Sequence, residues 1–249
     1  MVTRPGHQAG DFVEQLEALG AAVLSAPAIR LAPSRQHAKL LQAVREFSKF
    51  DWVIFTSVNG AHAVARAMGE AEVDPADLQK VKVAAIGPAT SRELKRMAIA
   101  PTVMPDEFIS DAIPELLGNI EGKKILLPRA DIARKQLPEE LRNRGAEVTE
   151  IEAYRIVPND EIALVHYLED QEQAPDYITF TSSSTVRGFH MLLARADKRD
   201  WFSSSKLVSI GPVTAETVAE LGGSSSLTAK SYTTEGIIER ILEEERGEK

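Results

Sequence analysis

Two runs of hydroxyl-bearing residues have the chemistry to bind a negatively charged ligand. Residues 56–60 read Thr-Ser-Val-Asn-Gly and residues 181–185 read Thr-Ser-Ser-Ser-Thr, and each run follows a short apolar segment. Hydroxyls, free backbone amides and the positive end of the helix dipole together favour an anion at such a position. Since Ser and Thr are also ordinary helix N-caps, the alternative is capping alone. The candidate ligand contacts are Thr56, Ser57, Asn59, Thr181, Ser182 and Ser183.

A second pair of turns has the same character. Residues 86–90 read Ile-Gly-Pro-Ala-Thr and residues 210–214 read Ile-Gly-Pro-Val-Thr. Glycine permits close backbone approach to a ligand, and proline suits the first turn of a helix. Thr233 opens the last predicted helix in a similar manner, with a capping-box-like start as the alternative. The further candidate contacts are Gly87, Thr90, Gly211, Thr214 and Thr233. Turns of this kind around one cleft predict a polyanionic ligand.

These turns belong to an internal repeat. Nine residues recur in the same order, six of them 125 positions later and three 124 positions later, so a single one-residue slip separates the two sets. Chance from composition does not readily produce this, and we interpret the chain as a duplicated unit. The matching residues are Arg4, Gly20, Arg30, Pro33, Thr56 and Ser57 with Arg129, Gly145, Arg155, Pro158, Thr181 and Ser182, and Gly87, Pro88 and Thr90 with Gly211, Pro212 and Thr214.

The repeat also singles out a tyrosine and two arginines. Tyr154 corresponds to Ile29, whereas the Arg and Pro that flank it are the same in both halves, so the tyrosine is a difference between the repeats. Its phenol is a candidate hydrogen-bond donor or weak general acid. Packing of the ring on a neighbour is the alternative. Arg129, at a predicted strand end, corresponds to Arg4, and a guanidinium pairs well with a carboxylate. The alternative for Arg129 is an exposed basic face.

The elements that must position these residues alternate between strand and helix. Apolar runs at residues 52–55, 81–86, 125–127, 177–180 and 207–210 predict buried parallel strands. Helical apolar stripes precede Gly20 and Gly145, which suit helix C-termini. This alternation predicts an α/β protein with two doubly wound parallel-sheet domains that arose by internal duplication.

Two extended segments, residues 28–33 and 153–158, are predicted to connect the domains as a two-stranded β connector. Each ends at a proline, which disfavours helix in the residue before it. With an exchange of the first strand-helix-strand of each repeat, domain one covers residues 1–30 and 158–249 and domain two covers residues 33–152. A contiguous division near residue 122 is the simpler alternative.

Composition excludes several classes of protein. The chain has 249 residues, a net charge of −8 and no cysteine, which argues against nucleic-acid or anionic-membrane binding and rules out disulfides and thiolate chemistry. No apolar run approaches the roughly 18 residues of a membrane span, so we expect a cytoplasmic protein. The sequence contains neither a phosphate-binding glycine loop nor metal-ligand spacing among its five histidines, and we expect no metal and no cofactor.

The ordered set of motifs resembles the uroporphyrinogen-III synthase family over Val2 to about Leu242. The motifs are Val-Thr-Arg-Pro at 2–5, Phe-Thr-Ser-Val-Asn-Gly at 55–60, Ala-Ile-Gly-Pro-Ala-Thr at 85–90, Tyr-Arg at 154–155, Phe-Thr-Ser-Ser-Ser at 180–184 and Ser-Ile-Gly-Pro-Val-Thr at 209–214. The resemblance implies two α/β domains, a two-stranded connector and the exchange described above.

The resemblance further implies a reaction and roles for residues. The family converts linear hydroxymethylbilane, which bears eight carboxylates, to uroporphyrinogen III with loss of water and inversion of ring D through a spiro intermediate. By resemblance, Tyr154 matches the family's cleft tyrosine and Thr90 and Thr233 match its threonines facing the cleft. The loops around Thr56 and Thr181, with Gly87 and Gly211, match its substrate contacts. The resemblance implies a monomer, and the instability of the substrate favours a transient contact with hydroxymethylbilane synthase.

Two other function classes fit a two-domain scaffold. One is a non-catalytic ligand-sensing module, but the sequence shows no export signal, DNA-binding segment or effector domain. The other is a sugar-nucleotide transferase, which the short length and the absence of phosphate-loop glycines disfavour. Without the resemblance, the residues predict only a binder of a polyanion.

Overall fold

The computed structural model describes residues 1–105, 113–223 and 226–247, and their contacts form two compact units. Unit 1 comprises Met1–Arg30 and Val157–Lys249, and unit 2 comprises Leu31–Ile156. The chain therefore passes between the units twice, within the segments predicted to be connectors. Both units are of the α/β class with parallel strands.

Unit 2 is built around a five-stranded sheet with the order β1-β5-β4-β2-β3. The strands are β1 (Ile29–Pro33), β2 (Trp52–Phe55), β3 (Lys82–Ala85), β4 (Lys124–Ala130) and β5 (Glu147–Pro158). The pairs β2–β3, β2–β4 and β4–β5 are parallel, and a parallel bridge joins Ala84 to Val103 beyond β3. The helices are α2 (His37–Arg45), α3 (Val58–Glu70), α4 (Pro75–Gln79), α5 (Pro88–Arg96), α6 (Ile113–Leu116) and α7 (Gln136–Asn143).

Unit 1 has a three-stranded parallel sheet with the order β6-β7-β8, which the N-terminal segment extends. Val2 forms parallel bridges to Thr179 of β6 and to Ser25. The strands are β6 (Tyr177–Phe180), β7 (Lys206–Ser209) and β8 (Ser226–Thr228). The helices are α1 (Gly10–Ala18), α8 (Ile162–Glu169), α9 (Ser183–Arg195), α10 (Trp201–Ser204), α11 (Pro212–Glu220) and α12 (Thr234–Glu245).

Each sheet has a hydrophobic core on both faces, because successive strand residues point to opposite sides. In β2, Val53 and Phe55 belong to one buried cluster, whereas Trp52 and Ile54 belong to another. In β7, Leu207 and Val208 divide between two clusters in the same way. Helices therefore cover both faces, and the polar ends of the strands are where a ligand can reach the backbone.

The five predicted strands are confirmed, but the second connector differs from the prediction. The segment predicted as extended from residue 153 is the end of a single strand, β5, that begins at Glu147. Residues 147–157 contain no glycine or proline, so the strand continues to Pro158, although its register against β4 shifts by one residue at Ala153. In the part of the chain that the structure describes, no helix has both the length and the apolar character required to cross a bilayer.

Candidate functional site

Ser57 marks the carboxyl end of β2 in unit 2. Its backbone is extended, and its Oγ accepts a hydrogen bond of 3.0 Å from the amide of Gly60, so Ser57 is the N-cap of α3. Thr56 and Asn59 flank it in the strand-to-helix turn. The capping interpretation is therefore confirmed for Ser57, but capping is not the only contact that its hydroxyl makes.

The phenol of Tyr154 is the second partner of the Ser57 hydroxyl. Tyr154 lies on β5, opposite Ala130 of β4, and its hydroxyl is 3.0 Å from Ser57 Oγ. Burial raises the pKa of Tyr154 above its ordinary value of 10.0, while hydrogen bonds from Ser57 and Asn59 partly oppose this change. A phenol in this environment stays protonated at neutral pH. It can donate a proton or hydrogen bond to a leaving group.

Arg129 directly precedes Ala130, the β4 residue that pairs with Tyr154, and its side chain forms contacts within the protein. Only 5% of Arg129 is exposed, its Nη1 is 3.3 Å from Glu150 Oε1, and its Nη2 donates to the carbonyl of Arg134. Its Nε is buried with no hydrogen-bond partner among the described residues. Burial lowers the pKa of Arg129, and the nearby Glu150 opposes this change. The alternative of an exposed basic face is therefore wrong for Arg129, because the residue is buried and its guanidinium pairs with Glu150.

The second turn of unit 2 joins β3 to α5. Gly87 is the N-cap of α5 with φ −172°, an extended conformation that any residue adopts, and Pro88 occupies the first helical turn. Thr90 is 3% exposed, and no described residue forms a hydrogen bond with its hydroxyl. This hydroxyl therefore keeps its hydrogen-bonding capacity for a ligand.

In unit 1, the turn from β6 into α9 corresponds to the β2–α3 turn of unit 2 and has a more extensive helix N-cap. Ser182 Oγ accepts from the Thr185 amide at 3.3 Å, and Thr185 Oγ1 accepts from the Ser182 amide at 3.2 Å, which forms a capping box at the start of α9. Thr181 precedes the box and Ser183 is the first residue of the helix. In the described chain, neither the Ser183 nor the Ser184 amide has an acceptor, as expected for the first turn of a helix.

The turn after β7 brings an aromatic ring against the backbone. Gly211 is the N-cap of α11, and a Cβ at this position would lie 3.1 Å from Cδ1 of Tyr232. Glycine thus allows the ring to approach the backbone closely, whereas its φ of −176° is ordinary. Thr214 is 5% exposed, and its hydroxyl has no partner among the described residues. Sequence reasoning did not single out Tyr232, although it directly precedes Thr233 at the start of the last helix.

Thr233 and Arg4 complete the predicted set. Thr233 is the N-cap of α12 and accepts from the Gly236 amide at 3.1 Å, so the capping interpretation is confirmed for this residue too. Arg4 is half-buried, and its Nε has no partner in the described part of the structure. Burial lowers the pKa of Arg4, and Glu235 of the same helix start opposes this change. Neither Glu150 nor Glu235 gave a signal in the sequence beyond its charge.

The predicted residues thus form one group in each unit. In unit 2 the group comprises Thr56, Ser57, Asn59, Gly87, Thr90, Arg129 and Tyr154, and in unit 1 it comprises Arg4, Thr181, Ser182, Ser183, Gly211, Thr214 and Thr233. Most members of each group lie at turns that lead from a parallel strand into a helix, whereas Tyr154 and Arg129 lie within β5 and β4. Within the described ranges, no cluster of three or more His, Asp or Glu residues could hold a metal ion.

Comparison with known proteins shows the family of this chain. The family model described as uroporphyrinogen-III synthase HemD matches residues 10–239. The chain belongs to the uroporphyrinogen-III synthase family. A uroporphyrinogen-III synthase from Synechococcus elongatus is 30% identical over 248 residues, covering 96% of this chain and 92% of that protein. One from Escherichia coli is 24% identical over 251 residues, covering 97% and 98%.

Solved structures of uroporphyrinogen-III synthases have the same fold. A mutant enzyme from Thermus thermophilus superposes with a TM-score of 0.64 at 20% identity, covering 99% of this chain and 98% of that one. The enzyme from Helicobacter pylori also gives a TM-score of 0.64 at 20% identity, covering 89% and 93%. At this level of identity, the structural likeness shows the fold alone.

Proposed function

We propose that the chain closes linear hydroxymethylbilane to uroporphyrinogen III, with loss of water and inversion of ring D. Membership of the uroporphyrinogen-III synthase family supports the reaction. The observation that carries the chemistry is the distance of 3.0 Å between the Tyr154 hydroxyl and Ser57 Oγ at the end of β2, where burial raises the pKa of the phenol. The reaction needs a proton donor but no redox change.

In the proposed mechanism, Tyr154 assists departure of the hydroxyl from ring A. Breaking the carbon–oxygen bond releases water after proton transfer and leaves an azafulvene cation. The substituted carbon of ring D attacks this cation and forms a spiro intermediate. This intermediate fragments by breaking the bond between that carbon and the methylene bridge to ring C, which leaves an azafulvene cation on ring C. The free α-carbon of ring D then forms a bond to the bridge carbon, so that ring D is reversed, and its proton passes to the Tyr154 phenolate, which restores the pyrrole and the phenol. Because an activated pyrrole carries much of the reactivity, holding the substrate curled is the protein's main task.

The helix starts in each unit are proposed to bind substrate carboxylates. Amides and hydroxyls at these positions donate to anions and act locally, so the net charge of −8 does not prevent binding. Thr90 and Thr214 are proposed contacts because their hydroxyls have no partner in the described chain. The other proposed contacts are Arg4, Thr56, Ser57, Asn59, Gly87, Thr181, Ser182, Ser183, Gly211 and Thr233, with Arg129 supporting Tyr154.

Strand order supports this location within each unit. In unit 2, the chain runs from β2 outward to β3 but from β4 outward to β5, so the connections diverge between β2 and β4. Ligands of open α/β sheets bind at such a point, beyond the carboxyl ends of the strands. Ser57 directly follows β2 at this point, and the Tyr154 hydroxyl reaches it from β5. In unit 1 the corresponding point falls between Val2 and β6, next to Arg4 and Thr181.

We also propose that the units are doubly wound domains produced by internal duplication. Three pairs of residues with positive φ occupy matching positions: Gly20 and Gly145 at 90° and 85°, Glu72 and Asp197 at 55° and 52°, and Ala98 and Gly222 at 59° and 85°. Matching helices also have equal lengths, 13 residues in α3 and α9 and 9 residues in α5 and α11. Shared backbone conformation of this kind follows from common ancestry. The monomeric state, the cytoplasmic location and the transient contact with hydroxymethylbilane synthase stay predictions.

Product analysis tests the proposed function. Purified protein is supplied with enzymatically generated hydroxymethylbilane, and the oxidised products are resolved by isomer. We expect the type III isomer to predominate. The type I isomer forms without a catalyst, so its exclusive appearance would refute the assignment.

A further inference from the structure

A buried threonine joins the two helices of unit 1 whose first turns carry the proposed binding groups. Thr217 lies in the second turn of α11, and its Oγ1 is 2.8 Å from Ser183 Oγ, at the start of α9. It is also 3.1 Å from the Val213 carbonyl, to which Ser183 Oγ donates at 3.2 Å. Three oxygens thus form a closed triangle that links the Thr181–Ser184 turn to the Gly211–Thr214 turn.

Burial separates the roles of the members of this triangle. Thr217 is 4% exposed, whereas Ser183 is half-buried and the Val213 side chain is 51% exposed. Thr217 therefore acts on a ligand only through the residues it holds. The Ser183 and Val213 amides, which have no acceptor in the described chain, are set in place by the triangle.

The repeat shows that this position joins corresponding pairs of helices in the two units, α3 with α5 and α9 with α11, through different side chains. Thr217 corresponds to Glu93, which is 3.0 Å from His62 of α3 and 3.1 Å from Arg96. His62 corresponds to Arg187, and Arg96 to Glu220, and these two form an ion pair of 2.9 Å. In unit 1 the carboxylate lies one helical turn later, at Glu220 of α11. Position 217, which contacts the Thr181–Ser184 turn, carries a neutral hydroxyl.

The displacement of the carboxylate has an electrostatic consequence. A negative charge at position 217 would lie beside the helix-start amides and oppose the binding of a substrate carboxylate. A threonine keeps the link between the helices without that charge. Unit 1 therefore combines a fixed spacing of its two turns with an environment suited to an anion.

On the basis of the proposed function, we infer that Thr217 is a positioning residue for carboxylate binding by unit 1. It fixes the Thr181–Ser184 turn against the Gly211–Thr214 turn, so that the amides and hydroxyls of both turns contact the substrate at the same time. Loss of the hydroxyl frees the two turns to separate, which weakens substrate binding and leaves the chemical step at Tyr154 intact.

Steady-state kinetics of Thr217→Val and Thr217→Ser test this inference. For Thr217→Val we expect KM for hydroxymethylbilane to rise about fivefold at unchanged kcat, as for loss of one hydrogen bond. Thr217→Ser restores KM to within about twofold of the original chain. Glu220→Gln is the matched control, since it breaks a link between the same helices away from the turns and leaves KM unchanged.

A merely structural role predicts a different pattern. In that case Thr217→Val lowers the unfolding temperature but leaves KM unchanged, and the inference is overturned. Ser183→Ala provides a second measurement on the more exposed partner. If Thr217 acts through Ser183, adding Thr217→Val to Ser183→Ala raises KM no further, whereas independent, multiplicative effects would contradict the inference. Absence of type III product from the original chain would instead refute the proposed function, and the inference with it.

Discussion

The hydroxyl of Tyr154 lies 3.0 Å from Oγ of Ser57, a residue 97 positions earlier in the chain. The same Ser57 oxygen accepts from the Gly60 amide, so the cap of α3 holds the tyrosine. Asn59, in the first turn of that helix, acts with Ser57 to oppose the rise that burial causes in the pKa of the phenol. The orientation of the candidate acid is therefore tied to the start of a helix.

Removal of the phenol tests the proposed acid. We expect Tyr154→Phe to lower kcat about 10²-fold without abolishing turnover, because one general acid contributes about 10² to 10⁴ in rate and the pyrrole chemistry proceeds in part without it. The measurement is the rate of type III formation under saturating substrate. Tyr177→Phe is the control, since it removes another hydrogen-bonded phenol, the partner of Glu245, outside the predicted set. Equal rates for Tyr154→Phe and the original chain would exclude the phenol from the mechanism.

The pH dependence of kcat follows from the protonation of Tyr154. Burial favours the neutral phenol, so the folded-state pKa lies above 10.0 and the acid stays in its active form throughout the neutral range. The group's contribution to stability is likewise present below pH 10 and is lost as the pH rises through the folded pKa. We expect no loss of kcat assignable to Tyr154 below about pH 10. A fall in kcat near pH 7 that disappears in Tyr154→Phe would contradict this prediction.

The two contacts of Ser57 can be separated by a matched capping variant. Ser57→Ala should lower the free energy of unfolding by about 1 kcal/mol, as is typical for loss of an N-cap, and also lower kcat because Tyr154 loses a partner. Asp74→Ala removes the cap of α4, where Asp74 Oδ1 accepts from the Ala76 amide at 2.8 Å, and lies outside the predicted site. Denaturant unfolding and kinetics are measured for both variants. A drop in kcat shared by both would show that general destabilisation is the cause.

Close packing at Gly188 can be tested against another helical glycine. A Cβ at Gly188 in α9 would lie 2.4 Å from the Ala28 carbonyl oxygen, so Gly188→Ala requires the backbone to move. Overpacking of this kind typically costs about 1 to 3 kcal/mol. A Cβ at Gly69 in α3 would meet no atom within 4 Å, and Gly69→Ala should stabilise by up to about 1 kcal/mol. Thermal unfolding of the two variants should therefore shift in opposite directions.

The strands, the helix starts and the repeat could be predicted from the sequence because their signals are local. Val53, Phe55 and their neighbours form a continuous apolar run, as expected of a strand buried on both faces. Ser57, Ser182 and Thr233 cap helices in the structure as their positions before helical segments suggest. The burial of Arg129 against Glu150 was not predictable, because it depends on the register of β4 against β5.

By itself, the sequence determined the positions of five buried strands, the helix starts that follow them, which turns carry hydroxyls and which residues correspond in the two halves. These features depend on neighbouring residues and on local backbone preference. Only the tertiary structure decided that Ser57 meets Tyr154, that Tyr232 covers Gly211 and that Thr217 joins two helix starts. Such contacts arise when strand register and helix packing bring distant segments together, and no periodicity along the chain encodes them.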